Sequence, residues 1–232
     1  MTDIADELAG LTLELCRIPS ETCHEAEIAT WVQHRCTAFA GAHAVHRIGH
    51  SVICEPYPRD ARPGQPTVAL VGHVDTVKCA EDQDVAIRDG RVYGCGASDM
   101  KGGIAVMLAL LERWPELERG RPVFIFYDGE EGPAEGNGLG PVLASGILPP
   151  IDLAFILEPT DRGVQPGCMG LLHARVTVPG VRAHSARPWQ GRNAIYRAIP
   201  LLERLRDWGP RDVWFGEMCF REVIVATAAQ TF

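Results

Sequence analysis

The chain has little lysine: Lys78 and Lys101 are the only two among 22 basic residues. It has no apolar run near the length that spans a bilayer, which excludes a membrane-spanning helix. The segment Met1-Thr2-Asp3-Ile4-Ala5-Asp6-Glu7 has no basic stretch leading into an apolar one, so no signal peptide is expected. Positive charge is also short. A net charge of −8 argues against a phosphate-backbone partner, so neither nucleic acid nor membrane is expected. Eight cysteines (16, 23, 36, 54, 79, 95, 168 and 219) form no Cys-x-x-Cys pair. Without a secretion signal they read as free thiols in a reducing cytoplasm. There is no internal repeat and no low-complexity segment.

What is present is a core of useful size, with 46% hydrophobic residues in 232. Apolar spacing predicts a helix over 4–17, with Asp3 as its N-cap, and a second over 24–40. Short strands are expected over 44–47 and 51–55, with a Pro/Arg-rich loop over 56–66. The run 67–71 (Thr-Val-Ala-Leu-Val) reads as a strand buried on both faces, as do 123–127 and 151–157. Residues 85–93 alternate around Asp89-Gly90, a hairpin turn. Residues 102–114 form a strongly apolar helix opened by Gly102-Gly103. This alternation indicates an α/β sheet with functional groups at the strand C-termini. From about residue 170 the texture changes to a half-exposed strand over 171–178, an amphipathic helix over 193–208 interrupted by Pro200, and a strand over 223–229. We therefore expect a catalytic domain over 1–169 and the start of a smaller α+β domain over 170–232.

Five motifs supply the chemistry: Gly72-His73-Val74-Asp75-Thr76-Val77, Ser98-Asp99-Met100-Lys101-Gly102-Gly103, Asp128-Gly129-Glu130-Glu131-Gly132, Leu157-Glu158-Pro159-Thr160 and Ala183-His184-Ser185-Ala186. Each alone has an ordinary reading. His73 and Asp75 would be a strand-end imidazole beside a solvated carboxylate, Asp99 a helix cap, Glu130-Glu131 a solvated turn, and Glu158 and His184 surface groups. Together they place hard oxygens and imidazoles at strand ends and in one loop. Two residues apart on a strand, His73 and Asp75 share a face, so the carboxylate can hold the ring. Adjacent carboxylates beside a buried strand repel unless a cation compensates, and one can ligate while its neighbour accepts a proton from the attacking water. Those are the ligands and the base of a metal hydrolase.

On these motifs the chain resembles the zinc-dependent aminoacylase and carboxypeptidase family, over nearly its whole length. Glu135-Gly-Asn-Gly-Leu-Gly140, Leu157-Glu-Pro-Thr160 and Arg182-Ala-His-Ser-Ala-Arg187 look most like the succinyl-diaminopimelate desuccinylase branch. The resemblance implies a mixed-sheet catalytic domain interrupted by a smaller lid and dimerisation domain. It implies two zinc ions, with cobalt or manganese as alternatives. His73 and Glu158 would bind one ion and Glu131 the other. Asp99 would bridge them, ahead of a cis peptide to Met100. Asp75 would orient His73, Glu130 would be the general base, and His184 would stabilise the oxyanion in a homodimer partner's site.

In the family the chain returns after the small domain, completes the sheet and supplies a last His ligand. That return is not seen here, so the chain reads as truncated within its second domain. None of His24, His34, His43, His46, His50 or His173 stands in a motif that suggests a replacement. The expected activity is hydrolysis of an N-acyl amino acid, N-succinyl-diaminopimelate first, in lysine biosynthesis. Acetylornithine deacetylase or dipeptidase chemistry is the alternative. A reading of another class is a truncated, non-catalytic metal-binding or dimerisation fragment.

Overall fold

The computed structural model describes residues 3–57, 63–80, 84–117, 120–167, 170, 172 and 174–226. It divides the chain into two compact units, Met1–Gly163 and Val164–Phe232.

The first unit is a three-layer α/β arrangement. Its five-stranded sheet runs β1(Val45–Ile48), β2(Ser51–Cys54), β6(Arg121–Tyr127), β3(Thr67–His73), β7(Leu153–Ile156) in spatial order. The sheet is mixed: β1–β2 and β2–β6 are antiparallel, while β3 lies parallel to both β6 and β7. A separate hairpin, β4(Ala86–Arg88) and β5(Arg91–Tyr93), turns at Asp89-Gly90. Both turn residues take positive φ (50° and 70°), the backbone a two-residue hairpin demands.

Side-chain alternation along the strands sends successive residues to opposite faces and builds two cores. Phe124 and Phe126 of β6 join Leu70 of β3 against α1(Ile4–Cys16), α2(Ala26–Ala40) and α3(Gly102–Leu117). Val123, Ile125 and Tyr127 join Ala69 and Val71 on the other face, where Val142 of the short helix α4(Leu139–Ala144) covers them. The α1 helix begins where expected, with the Asp3 carboxylate accepting the Ala5 N–H at 3.2 Å. The Glu7 carboxylate and the Arg113 guanidinium then tie α1 to α3.

Three sequence expectations change in this unit. The strand expected to be buried over 151–157 is β7, and all four of its residues are exposed. Among the described residues it pairs only with β3, so it lies at the sheet edge and its apolar run reflects one partner rather than two covered faces. The α4 helix was not expected: six residues containing Gly140 and Pro141 carry little helical periodicity. Finally, Cys79 and Cys95 are not free thiols but a disulfide with Cα atoms 5.9 Å apart. The two cysteines flank the β4–β5 segment, whose reversal of direction returns the chain to its starting point. Cys16, Cys23, Cys36, Cys54 and Cys219 are free, and Cys168 lies outside the described residues.

In the second unit, α5(Ala194–Trp208) is capped by Asn193, whose side-chain oxygen accepts the N–H groups of Ile195 and Tyr196. It runs unbroken through Pro200, which was expected to interrupt it. One lost hydrogen bond does not end a capped helix with turns formed on both sides. A hairpin follows, β8(Arg211–Phe215) and β9(Met218–Glu222), turning at Gly216 with φ +61°. The expected strand over 171–178 is absent from its described residues, and so is the one over 223–229. Leu171, His173 and 227–229 lie outside the described residues. Among the described residues no helix is long and apolar enough to cross a membrane.

Candidate metal centre

Three parallel strands deliver the candidate groups at their C-terminal ends. His73 closes β3, Glu130-Glu131 follow β6 and Glu158 follows β7. Asp99 arrives from the turn before α3, where the Asp99–Met100 peptide is cis. Two glycines let that helix approach the strands. A Cβ at Gly72 would lie 2.5 Å from Met100 Cε, and one at Gly103 would overlap the Leu157 carbonyl oxygen. The α3 N-terminus is thereby seated between the ends of β3 and β7, which brings Asp99 to His73 and Glu158.

His73 is 1% exposed, and its Nε2 lies 3.2 Å from Asp99 Oδ1 and 3.8 Å from Glu158 Oε1. Its Nδ1 faces the Asp75 carbonyl oxygen at 3.0 Å and Asp75 Oδ1 at 3.4 Å. Asp75 therefore holds the ring through its backbone as well as its side chain. With Nδ1 as the donor, Nε2 is left free to ligate.

Ligand atoms fall into two groups that share His73, each within 4.8 Å: His73, Asp99 and Glu158, and His73, Glu130 and Glu131. Asp99 belongs to the first group only, and this geometry does not separate Glu130 from Glu131 as ligand and base. His184 lies in the second unit, exposed in a loop closed by the Val181–Arg192 bridge, where its Nδ1 accepts the Ala186 N–H at 3.1 Å.

The electrostatics fit a cation. Burial, helped by the Asp99 and Glu130 carboxylates and opposed by His73, raises Glu158 to about 7. Burial and the Asp99, Glu130 and Asp75 carboxylates raise Glu131 against the pull of His73. Burial alone would depress the His73 imidazolium, but Asp75, Glu158 and Asp99 outweigh it and raise it to about 9. The Tyr127 phenol is pushed up by burial and then by the same carboxylates. Several partly desolvated carboxylates thus compete for one imidazole, and a divalent cation would relieve their repulsion. Carboxylate oxygens with an imidazole nitrogen suit zinc, cobalt or manganese.

Sequence reasoning missed two supporting side chains. Thr22 donates its hydroxyl to Asp75 Oδ2 at 3.0 Å, and Lys101, 1% exposed, donates to the Ile18 carbonyl at 2.8 Å. Burial draws the Lys101 ammonium down to about 8, against an opposing pull from Cys16. Lys101 could have been noticed as one of two lysines in the chain. Thr22 stands 53 residues from its partner and offers no signal.

The model of "Peptidase family M20/M25/M40" matches residues 69–204, more than half of the chain. A Mycobacterium tuberculosis protein provisionally named succinyl-diaminopimelate desuccinylase DapE is 36% identical over 230 residues, covering 97% of this chain and 63% of the relative. Succinyl-diaminopimelate desuccinylase of Corynebacterium glutamicum is 34% identical over 232 residues, covering 95% of this chain and 60% of the relative. The chain thus spans about three-fifths of the length of these relatives. Among solved structures, a Staphylococcus aureus tripeptidase superposes with a TM-score of 0.60 at 22% identity, over 86% of this chain and 56% of that one. That likeness supports the mixed α/β fold.

Proposed function

Because the chain belongs to peptidase family M20/M25/M40, we propose that it carries the metal centre of a hydrolase that cleaves the amide of an N-acyl amino acid. N-succinyl-diaminopimelate is the substrate we assign, with succinate and diaminopimelate as products. The observation that carries the reading is the cluster of one buried imidazole and four carboxylates at three strand ends and the α3 turn. The named function of the 36% and 34% identical relatives supports the acyl group.

In this reading His73, Asp99, Glu131 and Glu158 would supply ligands to zinc, which a complete site would hold as two ions. Zinc, when bound, polarises an amide carbonyl and acidifies water. Glu130 accepts the proton of the attacking water and returns it to the leaving amine. Asp75 keeps the His73 ring in one tautomer. We assign His184 the oxyanion role in a homodimer, worth roughly 3–4 kcal/mol if it acts like other such donors. We place the reaction in the cytoplasm, where reductants would open the Cys79–Cys95 bridge.

The test combines metal removal with a substrate pair. Exhaustive chelation should abolish hydrolysis of N-succinyl-diaminopimelate, and zinc, cobalt or manganese should restore it. The succinyl substrate should exceed N-acetyl-diaminopimelate, which lacks only the acyl carboxylate, in kcat/KM by roughly 100-fold, the scale of one well-used polar contact. Hydrolysis that survives complete metal removal would overturn the metal assignment. Equal rates on the two substrates would overturn the acyl assignment.

A further inference from the structure

Asp75 does more than face His73. Its fully buried carboxylate accepts the Glu130 N–H on Oδ1 and the Glu131 N–H on Oδ2, both at 3.0 Å. Thr22 Oγ1 is its third donor, at 3.0 Å. One buried anion thus sets both the imidazole and the backbone of the Glu130-Glu131 turn.

Thr22 grips the same turn a second way. A Cβ placed on Gly132 would lie 2.8 Å from Thr22 Cγ2, so the threonine methyl sits against the end of the turn. Thr22 and the turn glycines Gly129 and Gly132 also border a cavity of about 270 Å³. The threonine is itself anchored. Its N–H donates to the Thr76 carbonyl at 3.0 Å, and the Thr76 N–H donates to the Ser20 carbonyl at 2.9 Å.

Resting on the metal-centre reading, we infer that Thr22 is a positioning residue for the metal centre. Its hydroxyl orients the Asp75 carboxylate, and through it the Glu130-Glu131 turn. Thr22 belongs to neither group of ligand atoms, so its part in the centre runs through Asp75. Removing its hydroxyl leaves Asp75 Oδ2 with one donor instead of two and loosens the turn that carries two of the carboxylates.

The test is cobalt(II) binding by the full chain, by competition with a chelator and by the visible absorption spectrum. Thr22→Val keeps the shape and removes the hydroxyl, whereas Thr22→Ser keeps the hydroxyl and removes the methyl. Thr22→Val should weaken cobalt binding about 10- to 100-fold and alter the spectrum, while Thr22→Ser stays within about threefold of wild type. Should Thr22→Val fail to fold, Thr22→Ala removes the same hydroxyl and is read the same way. Wild-type affinity and spectrum in the hydroxyl-free variant would overturn the inference, and so would an equal loss in Thr22→Ser. A wild-type chain that binds no cobalt would instead overturn the metal-centre reading, and this inference with it.

Discussion

Replacing Glu130 with glutamine should lower turnover in the proposed reaction by roughly 10²- to 10⁴-fold, the span that general acid–base catalysis contributes. Glutamine keeps the size and hydrogen-bonding reach of the side chain but cannot accept the proton. Glu130 and Glu131 stand in one ligand group with His73, so loss of activity alone does not distinguish a base from a ligand. Metal content does. A variant that keeps its metal and loses turnover identifies Glu130 as the base. A variant that loses metal in step with activity makes Glu130 a ligand and moves the base role to Glu131. Wild-type turnover would remove Glu130 from the mechanism.

Substituting Gly129 should strongly destabilise the first unit. Its φ of +72° is a conformation that L side chains adopt at a cost of roughly 1–2 kcal/mol. A methyl there would also overlap the Gly136 carbonyl oxygen and lie 3.1 Å from the Gly136 carbonyl carbon. Backbone rather than a flexible side chain is in the way, so the strands of the loop must part. Adding a typical overpacking cost, Gly129→Ala should destabilise the first unit by about 3 kcal/mol. For a unit of this size that corresponds to a melting temperature lower by roughly 6–12 °C. Urea denaturation and thermal melts of wild type and variant measure it. A melting temperature within about 2 °C of wild type would show that the loop can yield there.

The parts of this architecture that were legible in the sequence are those where one local pattern dominates. Strands β3 and β6 are unbroken apolar runs because both faces are covered. The β4–β5 hairpin announces itself through Asp89-Gly90, and α3 through its apolar density after two glycines. Pattern fails where burial and periodicity part company. Leu153, Phe155 and Ile156 look like core residues and are 50%, 51% and 60% exposed, because edge position is a property of the sheet and not of the strand. The β8–β9 hairpin carries no such signal, since every residue of β8 is exposed and no half-buried alternation marks it.

The candidate centre follows the same division. Strand-end His and Glu residues are visible in sequence, since strand ends can be read from apolar runs. Asp75, two residues from His73, is visible with them, but the contacts behind it are not. The Thr22–Asp75 bond joins residues 53 apart, and the Lys101–Ile18 bond joins residues 83 apart. Neither residue pair has a spacing rule that folding must obey. The Cys79–Cys95 bridge is hidden for another reason: its cysteines stand 16 residues apart and form no paired-cysteine motif.

The hold of Asp75 on two backbone amides also has a kinetic side. Glu130 and Glu131 lie in a turn after a strand, where amide protons ordinarily trade with solvent quickly. Here both N–H groups end on a carboxylate with no solvent exposure. Deuterium should therefore enter these two positions only when the Asp75 contact opens, at a rate set by that local opening rather than by the turn's own surface. Two isotopically slow amides beside a pair of glycines would then report the integrity of the centre, without substrate, product or a coloured metal.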